Sequence, residues 1–477
     1  MPVSIDQKPL YSILPIGQQV IFTVSEPTIV ANNFKVKFIA EVHISNRTIN
    51  LSVTDDIVGT FKTTPNNVGV GIFDLRPILE SFVNADNKGV AANAPAGTWS
   101  TTSSYKGSTV PHPVHLIDKY VVSLNSIKYF AIQFKIEYST TAAGTVLAPG
   151  DGDNTGNAEN SIQYTMFNGV LQYDDTLTLT NDDYGYNIDS FYLDDTNAKF
   201  LTNAPAIQYA RLTDYGTLPF LNFLPAVTDK VTSIHLEYYN SSGVNIGSEN
   251  PSQNYANGGS TTTSDWSEKR IMYFGAFPAN LRNWSSTFQA LVTADTISYY
   301  TVQAYTSSGA SSELYRINIL CPNERGYDGI RLTWLNQWGT WDYYTFNMKS
   351  TRTLTTNRTS YTQTGGTWNE STFQIAGYKG GKKNFRVNST EKIKLNTDFV
   401  TEAEGVWFEE LINSNEVYIV KGFDGDEVTP FNTITNKYID PVVVTTSSFV
   451  KKTIANDRVM QYTIEIEKSK MQRTQSA

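Results

Sequence analysis

Cysteine is almost absent: the 477-residue chain has one, Cys321. An internal disulfide framework is therefore excluded, and stability must come from burial, as suits a reducing site of synthesis. Histidine is nearly as scarce, with four residues, which leaves little material for imidazole catalysis or metal binding. Charged residues make up only 17%, and their balance is negative, −9 with a pI near 5.1. Without a broad cationic field to follow phosphates, nucleic acid is not expected as the main partner. No apolar run approaches the roughly 20 residues that a membrane span requires. The opening "MPVSIDQKPLYSILPIG" has no basic stretch followed by an apolar one, so no signal peptide is expected and synthesis in a cytosol is. Without such a signal, the Asn-x-Ser/Thr triplets at Asn46, Asn240, Asn283, Asn357, Asn369 and Asn388 are what a Ser/Thr/Asn-rich text yields by chance.

What is abundant is aromatic and small polar residues. Aromatics reach 13%, with 28 Tyr and 24 Phe. This mixture suits twisted, half-buried sheets joined by polar turns. The length predicts about three domains. The expected fold is mainly β: tandem β-sandwiches (Ig/fibronectin III-like) followed by a C-terminal α+β domain. The expected boundaries are 1–200, 201–320 and 321–467, with a frayed tail over 468–477.

In the first segment, "FKVKFIAEVHIS" alternates, with Phe34, Val36, Phe38 and Ala40 on one face and Lys35 and Lys37 on the other. "YFAIQFKIEYS" repeats the pattern, which marks the two as candidate partner strands. Between them, "FDLRPILESFV" predicts one short helix plugging the end of a sandwich, with Asp74 as cap and Pro77 in the first turn. In the second segment, "VTSIHLEYYNSSGVNIG" reads as strand, turn, strand. "SYYTVQAYTSSGASSELYRINI" resembles a late hairpin of fibronectin type III-like domains, at the level of architecture. In the third, "TEAEGVWFEELINS" predicts a helix with a Thr401–Glu404 capping box and Ala403, Trp407 and Leu411 on one stripe. "EVYIV", "DPVVVTTSSFV" and "MQYTIEIEKS" close the domain as strands.

Chemistry-bearing patterns are weak. His43 and His235 sit in strand patterns, where a satisfied sheet residue is the plainer reading. His112 and His115 share a Pro-rich loop, with no further ligand at a known spacing. "DGDNTGNAENSI" starts like a calcium loop at Asp151, Asp153 and Gly156, but its twelfth position is Ile162 where a bidentate acid is required. The Asp pairs at 55–56, 174–175, 182–183 and 194–195 are neighbours in sequence, and adjacent residues do not flank a glycosidic bond. "GYKGGKKN" lacks phosphate-loop spacing, and no Gly-x-Ser-x-Gly elbow occurs. Neither an enzyme nor a cofactor is expected.

"LTWLNQWGTWDYYTFN" holds three of the eight tryptophans, Trp334, Trp338 and Trp341. A sugar platform would line an exposed face with aromatics alternating with Asp, Asn and Gln. Here Ile330, Leu332 and Trp334 stand opposite Tyr344, Phe346 and Met348, which favours a structural hairpin. Trp341 and Tyr343 share the other face, to be covered by the Trp407 helix or by a neighbouring subunit.

Taken in order, "FDLRPIL", "KFLTNAP…DYGTLPFLNF", "YTVQAYTSSGASSELYRINILC", "LTWLNQWGTWDYYTFN", "WFEELINSNEVYIV" and "YTIEIEKSKMQRTQ" resemble virion proteins of tailed bacteriophages of Bacteroidota hosts, including crAss-like phages. The likeness runs nearly the full length, and the Trp-Leu-Asn…Gly-x-Trp-Asp-Tyr-x-x-Phe cluster is its most specific part. The turn Asn-Gln-Trp-Gly departs from that family's basic residue and second glycine. The resemblance implies a non-enzymatic tail or neck ring component, present in the virion, whose partners are further copies of itself and other tail or portal proteins. A receptor- or carbohydrate-binding tail adhesin is the alternative, and a tail-spike hydrolase a third. Assembly contacts are expected from the irregular segments 86–115, 140–160 and 246–265 and from the tail beginning at Lys468. The candidate interface residues are Trp99, Tyr105, Trp338, Trp341, Tyr343, Lys468 and Arg473.

Overall fold

The computed structural model describes residues 3–45, 49, 51, 56–85, 120–122, 126–151, 154, 158–171, 177–179, 183–186, 188–222, 231–252, 270–320, 326–368, 370–375, 377–420, 439–450 and 460–471. The chain is mainly β, with several sheets. The described residues form two compact units. The first runs to Leu320 and takes in Leu335–Asp342; the second holds the others from residue 326 onward.

The first unit begins with a sandwich. A three-stranded sheet of Ser4–Gln7, Ile21–Ser25 and Val70–Asp74 packs on a six-stranded one. The six-stranded sheet is centred on the antiparallel pair Phe34–Ser45 and Ile127–Ser139, the partnership anticipated from their shared pattern. Phe38, Ala40, Val42 and Ile44 pack with Phe130, Ile132, Phe134 and Ile136 in one core, joined by Phe22 and Phe73. Phe22 and Phe134 lie 5.6 Å apart, within the range in which tilted rings attract. Phe34, expected inside, is instead exposed. The register shifts between Phe34 and Lys37, and Lys35 takes φ +53, so the bulge turns the strand's first residues out of the inward row. The short helix is present as Arg76–Leu79 and buries Leu79. The cap position falls on Leu75, which gives no side-chain cap, and not on Asp74 as expected; Asp74 Oδ1 instead accepts the N–H of Arg76, the first helical residue.

The same unit contains a second pair of sheets. One has six strands: Ile207–Arg211, Tyr315–Leu320, Tyr299–Thr306, Ser233–Tyr239 and Asn245–Glu249 in that order, with Gly309–Ala310 beside Tyr299–Thr306. Ile207–Arg211 joins Tyr315–Leu320 in parallel, whereas Ser233–Tyr239 and Asn245–Glu249 form the anticipated hairpin. Asn240 Oδ1 accepts the Ser242 and Val244 N–H groups, and Gly243 takes φ +76 in the turn. The other sheet joins Leu218–Asn222, Arg270–Phe274 and Tyr120–Val122, so a strand from before residue 200 pairs with strands after it. Two helices not anticipated from the sequence, Pro278–Trp284 and Ser286–Thr293, belong to this region. Ser285 Oγ accepts the Phe288 N–H and starts the second helix.

The second unit is built on a seven-stranded sheet. Its order is Trp341–Phe346, Ile330–Leu335, Val417–Val420, Ile439–Val444, Thr463–Lys468, Gly381–Asn396 and Thr351–Gln363. The helix Glu402–Asn413 opens with the anticipated Thr401–Glu404 capping box and buries Trp407, Phe408 and Leu411. Ala403 is exposed, and Gly405 lies on the buried stripe instead, close to the Tyr462 ring.

Candidate functional site

The aromatic hairpin is interior to the chain. Trp338, Trp341 and Tyr343 are only 3%, 1% and 4% exposed, so their candidacy as interface residues is corrected. The reason lies in what fills their neighbourhood. In the first unit, Trp338 packs 3.9 Å from the Phe191 ring and stacks on Phe167. Asn336 Oδ1 accepts the Trp338 and Thr340 N–H groups, and its amide donates to the Leu201 carbonyl at 3.0 Å. Thr340 Oγ1 donates to that same carbonyl at 2.8 Å, and Thr202 Oγ1 donates to Asp342 Oδ1 at 2.6 Å. Gly339 adopts φ +70, and a Cβ there would stand 1.6 Å from the Asn168 carbonyl oxygen. Only glycine fits such a turn. In the second unit, Trp334 lies 4.9 Å from Trp407, and Tyr344 meets Phe408 edge-on at 4.8 Å. The Trp407 helix therefore covers the Trp334 face, not the Trp341 face expected for it. The Arg331 guanidinium stands 5.2 Å over the Tyr343 ring and donates to Thr345 Oγ1.

Trp99, Tyr105 and Arg473 lie outside the described residues, as do His112, His115 and segment 86–115. Lys468 is not the start of a frayed tail. It ends the strand Thr463–Lys468, with its ammonium 2.6 Å from the Glu391 carboxylate. The described parts of 140–160 are likewise bound to their own sheet. Asn154 is buried, its amide donating to the Ile136 and Leu147 carbonyls, and Glu159–Asn160 pairs with the central strand. In 246–265 the described part falls largely in the strand Asn245–Glu249.

Two of the four histidines, His43 and His235, fall among the described residues. His43 is buried beside Glu41 at 3.4 Å. His235 lies flat on the Tyr305 ring at 3.4 Å, and burial pushes its pKa down against the opposing pull of Glu237. Burial, then repulsion from Asp195 and Asp189, raises the pKa of exposed Asp194. Among the described residues, no group of three His, Cys, Asp or Glu is placed to hold a metal ion.

The feature that sequence reasoning passed over is an arm. Thr351–Gln363 and Gly381–Asn396 form an antiparallel ribbon running from Thr351↔Lys394 to Gln363↔Gly381. At about 3.4 Å per residue it is about 40 Å long. Most of its side chains are exposed on both faces. Only its base joins the sheet, through Lys392–Asn396 pairing with Thr463–Glu467. At that base, Lys392 faces Glu465 and Glu467, and Glu391 takes Lys468 and Arg352. Further out, Arg358, Lys382 and Arg386 have no carboxylate partner among the described residues.

The tip exposes apolar side chains. Trp368, Phe373, Ile375 and Tyr378 are 69%, 54%, 83% and 75% exposed. The Trp368 indole N–H donates to the Gly365 carbonyl, and its ring meets Phe373 at 5.1 Å. Thr367 Oγ1 accepts the Gln374 N–H at 2.7 Å and bonds the Thr372 carbonyl at 3.0 Å. Gly366, at φ +85, lets the Phe373 ring lie against the backbone, where a Cβ would stand 2.6 Å from it. Trp368 and Phe373 are thus held at the surface by local contacts. One signal was available in the text: Thr, Ser, Asn or Arg occupies all but three positions of Thr351–Gln363, and in Gly381–Asn396 the inward apolar row is confined to the base, at Ile393 and Leu395.

Fold and site together describe a multi-sheet β protein with its aromatic hairpin inside and a basic, aromatic-tipped arm outside. No family model matches the chain, and no curated protein matches it. Among solved structures, it is 8% identical to trypsin-activated α2-macroglobulin from Escherichia coli, over 83% of this chain and 22% of that one, at a TM-score of 0.16. The native conformation of the E. coli protein gives 8%, 82%, 22% and 0.16, and a Salmonella α2-macroglobulin mutant 8%, 98%, 27% and 0.14. The chain thus spans about a quarter or less of the length of these proteins. Scores this low carry no argument. No helix among the described residues is long and apolar enough to cross a membrane.

Proposed function

We propose that this chain is a non-enzymatic structural protein of a tailed-phage virion, a tail or neck ring or adaptor component present in several copies beside other tail proteins. The phage assignment rests on the order of motifs described above. The observation that favours a building part is the arm, exposed on both faces while the densest tryptophan cluster lies in the interior. A protein whose tryptophan-rich hairpin serves its own core, and which gathers four exposed apolar side chains at the end of an extension, is arranged for joining other chains.

The alternative, a tail adhesin that binds carbohydrate, draws support from the same tip, because Trp368 and Tyr378 are types on which sugars stack. Immunogold labelling of purified virions, with antiserum against this chain, tests the first reading. Gold at the neck or tail upper layers in every particle is the expected result. Virions without the chain would remove it, and gold at distal fibres with selective glycan binding would transfer the assignment to the adhesin.

A further inference from the structure

We propose that the arm is a docking element whose occupant is a second copy of this same chain: the tip residues Trp368, Phe373, Ile375 and Tyr378, with the cations behind them, seat on the acidic body of a neighbour. The inference rests on the multi-copy reading above and supplies its contact.

Three observations converge on it. The first is charge. Residues 351–396 hold eight Lys and Arg against two Glu, a net of +6, so the rest of a −9 chain carries −15. An extension of one sign on a body of the other has its complement in another copy of itself. Carboxylates at the base, Glu391, Glu465 and Glu467, engage Arg352 and Lys392, and the outer charge is that of Arg358, Lys379, Lys382, Lys383 and Arg386.

The second is the tip's chemistry. Tracking phosphate calls for flat rings and cations along a groove. This tip places Ile375 and Phe373 outward with Glu370 beside them in sequence, on a molecule whose net charge repels phosphate. Aliphatic and aromatic groups together seek an apolar recess in a protein surface.

The third is the ribbon itself. A two-stranded ribbon in water is marginal at best. Among the described residues, Thr351–Gln363 is an edge strand, and residues 381–391 of its partner face no further strand. Contact with a neighbour would cover these edges as well as the tip. Because the arm and the surface that receives it are different parts of the chain, the contact is head-to-tail, the type that closes into rings.

The test is sedimentation velocity of the full-length chain over a range of concentration and salt. Wild type is compared with a tip variant (Trp368→Ser, Phe373→Ser, Ile375→Ser, Tyr378→Ser) and a charge variant (Lys382→Glu, Arg386→Glu). Wild type should self-associate, more weakly as salt rises. Both variants should associate at least about tenfold more weakly while keeping the wild-type melting temperature, which guards against misfolding. Chemical cross-linking of mixed light and heavy-isotope copies should join Lys382 or Lys383 to carboxylates of the other copy.

A wild type that stays monomeric at high micromolar concentration overturns the proposal. So does unchanged association in both variants, or arm-dependent binding to DNA or to a glycan without arm-dependent association. Arm-dependent association by a chain absent from virions would leave this inference standing and remove the virion reading.

Discussion

Two hairpins of this chain are both rich in aromatics and meet opposite fates. In the hairpin spanning 330–346, Trp334, Trp338 and Trp341 are buried. In the ribbon spanning 351–396, Tyr361, Phe385 and Trp368 are exposed. Aromatic content does not separate them. The residues between the aromatics do: the first hairpin interleaves Ile330, Leu332 and Thr333, which tolerate burial, and its buried Arg331 and Asp342 are bonded to Thr345 and Thr202. The second interleaves Thr, Asn, Lys and Arg, whose burial without partners is costly. The turns differ too. That of the first is closed by hydrogen bonds to residues far along the chain, Leu201 and Asn168 among its neighbours. The tip of the second is closed by bonds to itself.

This contrast can be broken by substitution. The largest effect belongs to Gly339→Val, which forces a side chain into the Asn168 carbonyl at a positive φ. A loss of more than about 4 kcal/mol, or failure to fold, is expected in chemical denaturation. Its counterpart Gly366→Val, also at positive φ but against the Phe373 ring, should leave the body's melting temperature nearly unchanged. Next comes Trp334→Ala, which opens a cavity beside Trp407 and should cost about 3–5 kcal/mol by denaturant midpoint. Equal sensitivity of Trp334→Ala and Trp368→Ala would erase the distinction between the hairpins.

An alkaline titration sharpens the account of the buried side. Burial pushes the Tyr184 phenol up to about 12, against the hydrogen bond that its oxygen accepts from the Ile21 N–H. Burial likewise raises Tyr120, Tyr164, Tyr238 and Tyr344. A phenol raised above its ordinary value of 10.0 favours the fold only while protonated. The stability it contributes is complete below that value and is lost as pH rises toward the folded value. Cooperative unfolding should therefore begin above pH ~10, with a late class of phenols ionising together in ultraviolet absorbance. Smooth titration of all tyrosines near pH 10 without unfolding would contradict the burial. Smallest is Lys468→Ala at the arm's base. Its ion pair with Glu391 is partly exposed, so a change below about 1 kcal/mol, shrinking with salt, is expected in melting temperature.

Much of the fold could be read from sequence because its signals are local. The Thr401–Glu404 box, the Asn240–Gly243 turn and the alternation in Phe34–Ser45 and Ile127–Ser139 each fall within a few residues of text. The exposure of Phe34 could not be read, since the bulge at Lys35 is a register choice made by the partner strand. Nor could the cover on Trp338, because Phe167 and Phe191 are over a hundred residues away. The candidate interface misplaced its aromatics for the same reason: tryptophan density is visible in the text, whereas solvent exposure depends on distant chain. The helices over 278–293 carry few charges and no wide polar face in the text, and so were passed over.

The most direct test pairs Trp338→Ala with Trp368→Ala in the full-length chain, measuring melting temperature and self-association constant for each. Trp338 sits against Phe191 in the interior and Trp368 stands at the arm's tip. Trp338→Ala should lower the melting temperature by several degrees, as a loss of about 3 kcal/mol or more would, and spare association among the molecules still folded. Trp368→Ala should do the reverse. A Trp368→Ala protein that melts early and associates normally, with a Trp338→Ala protein that does the opposite, would contradict both expectations.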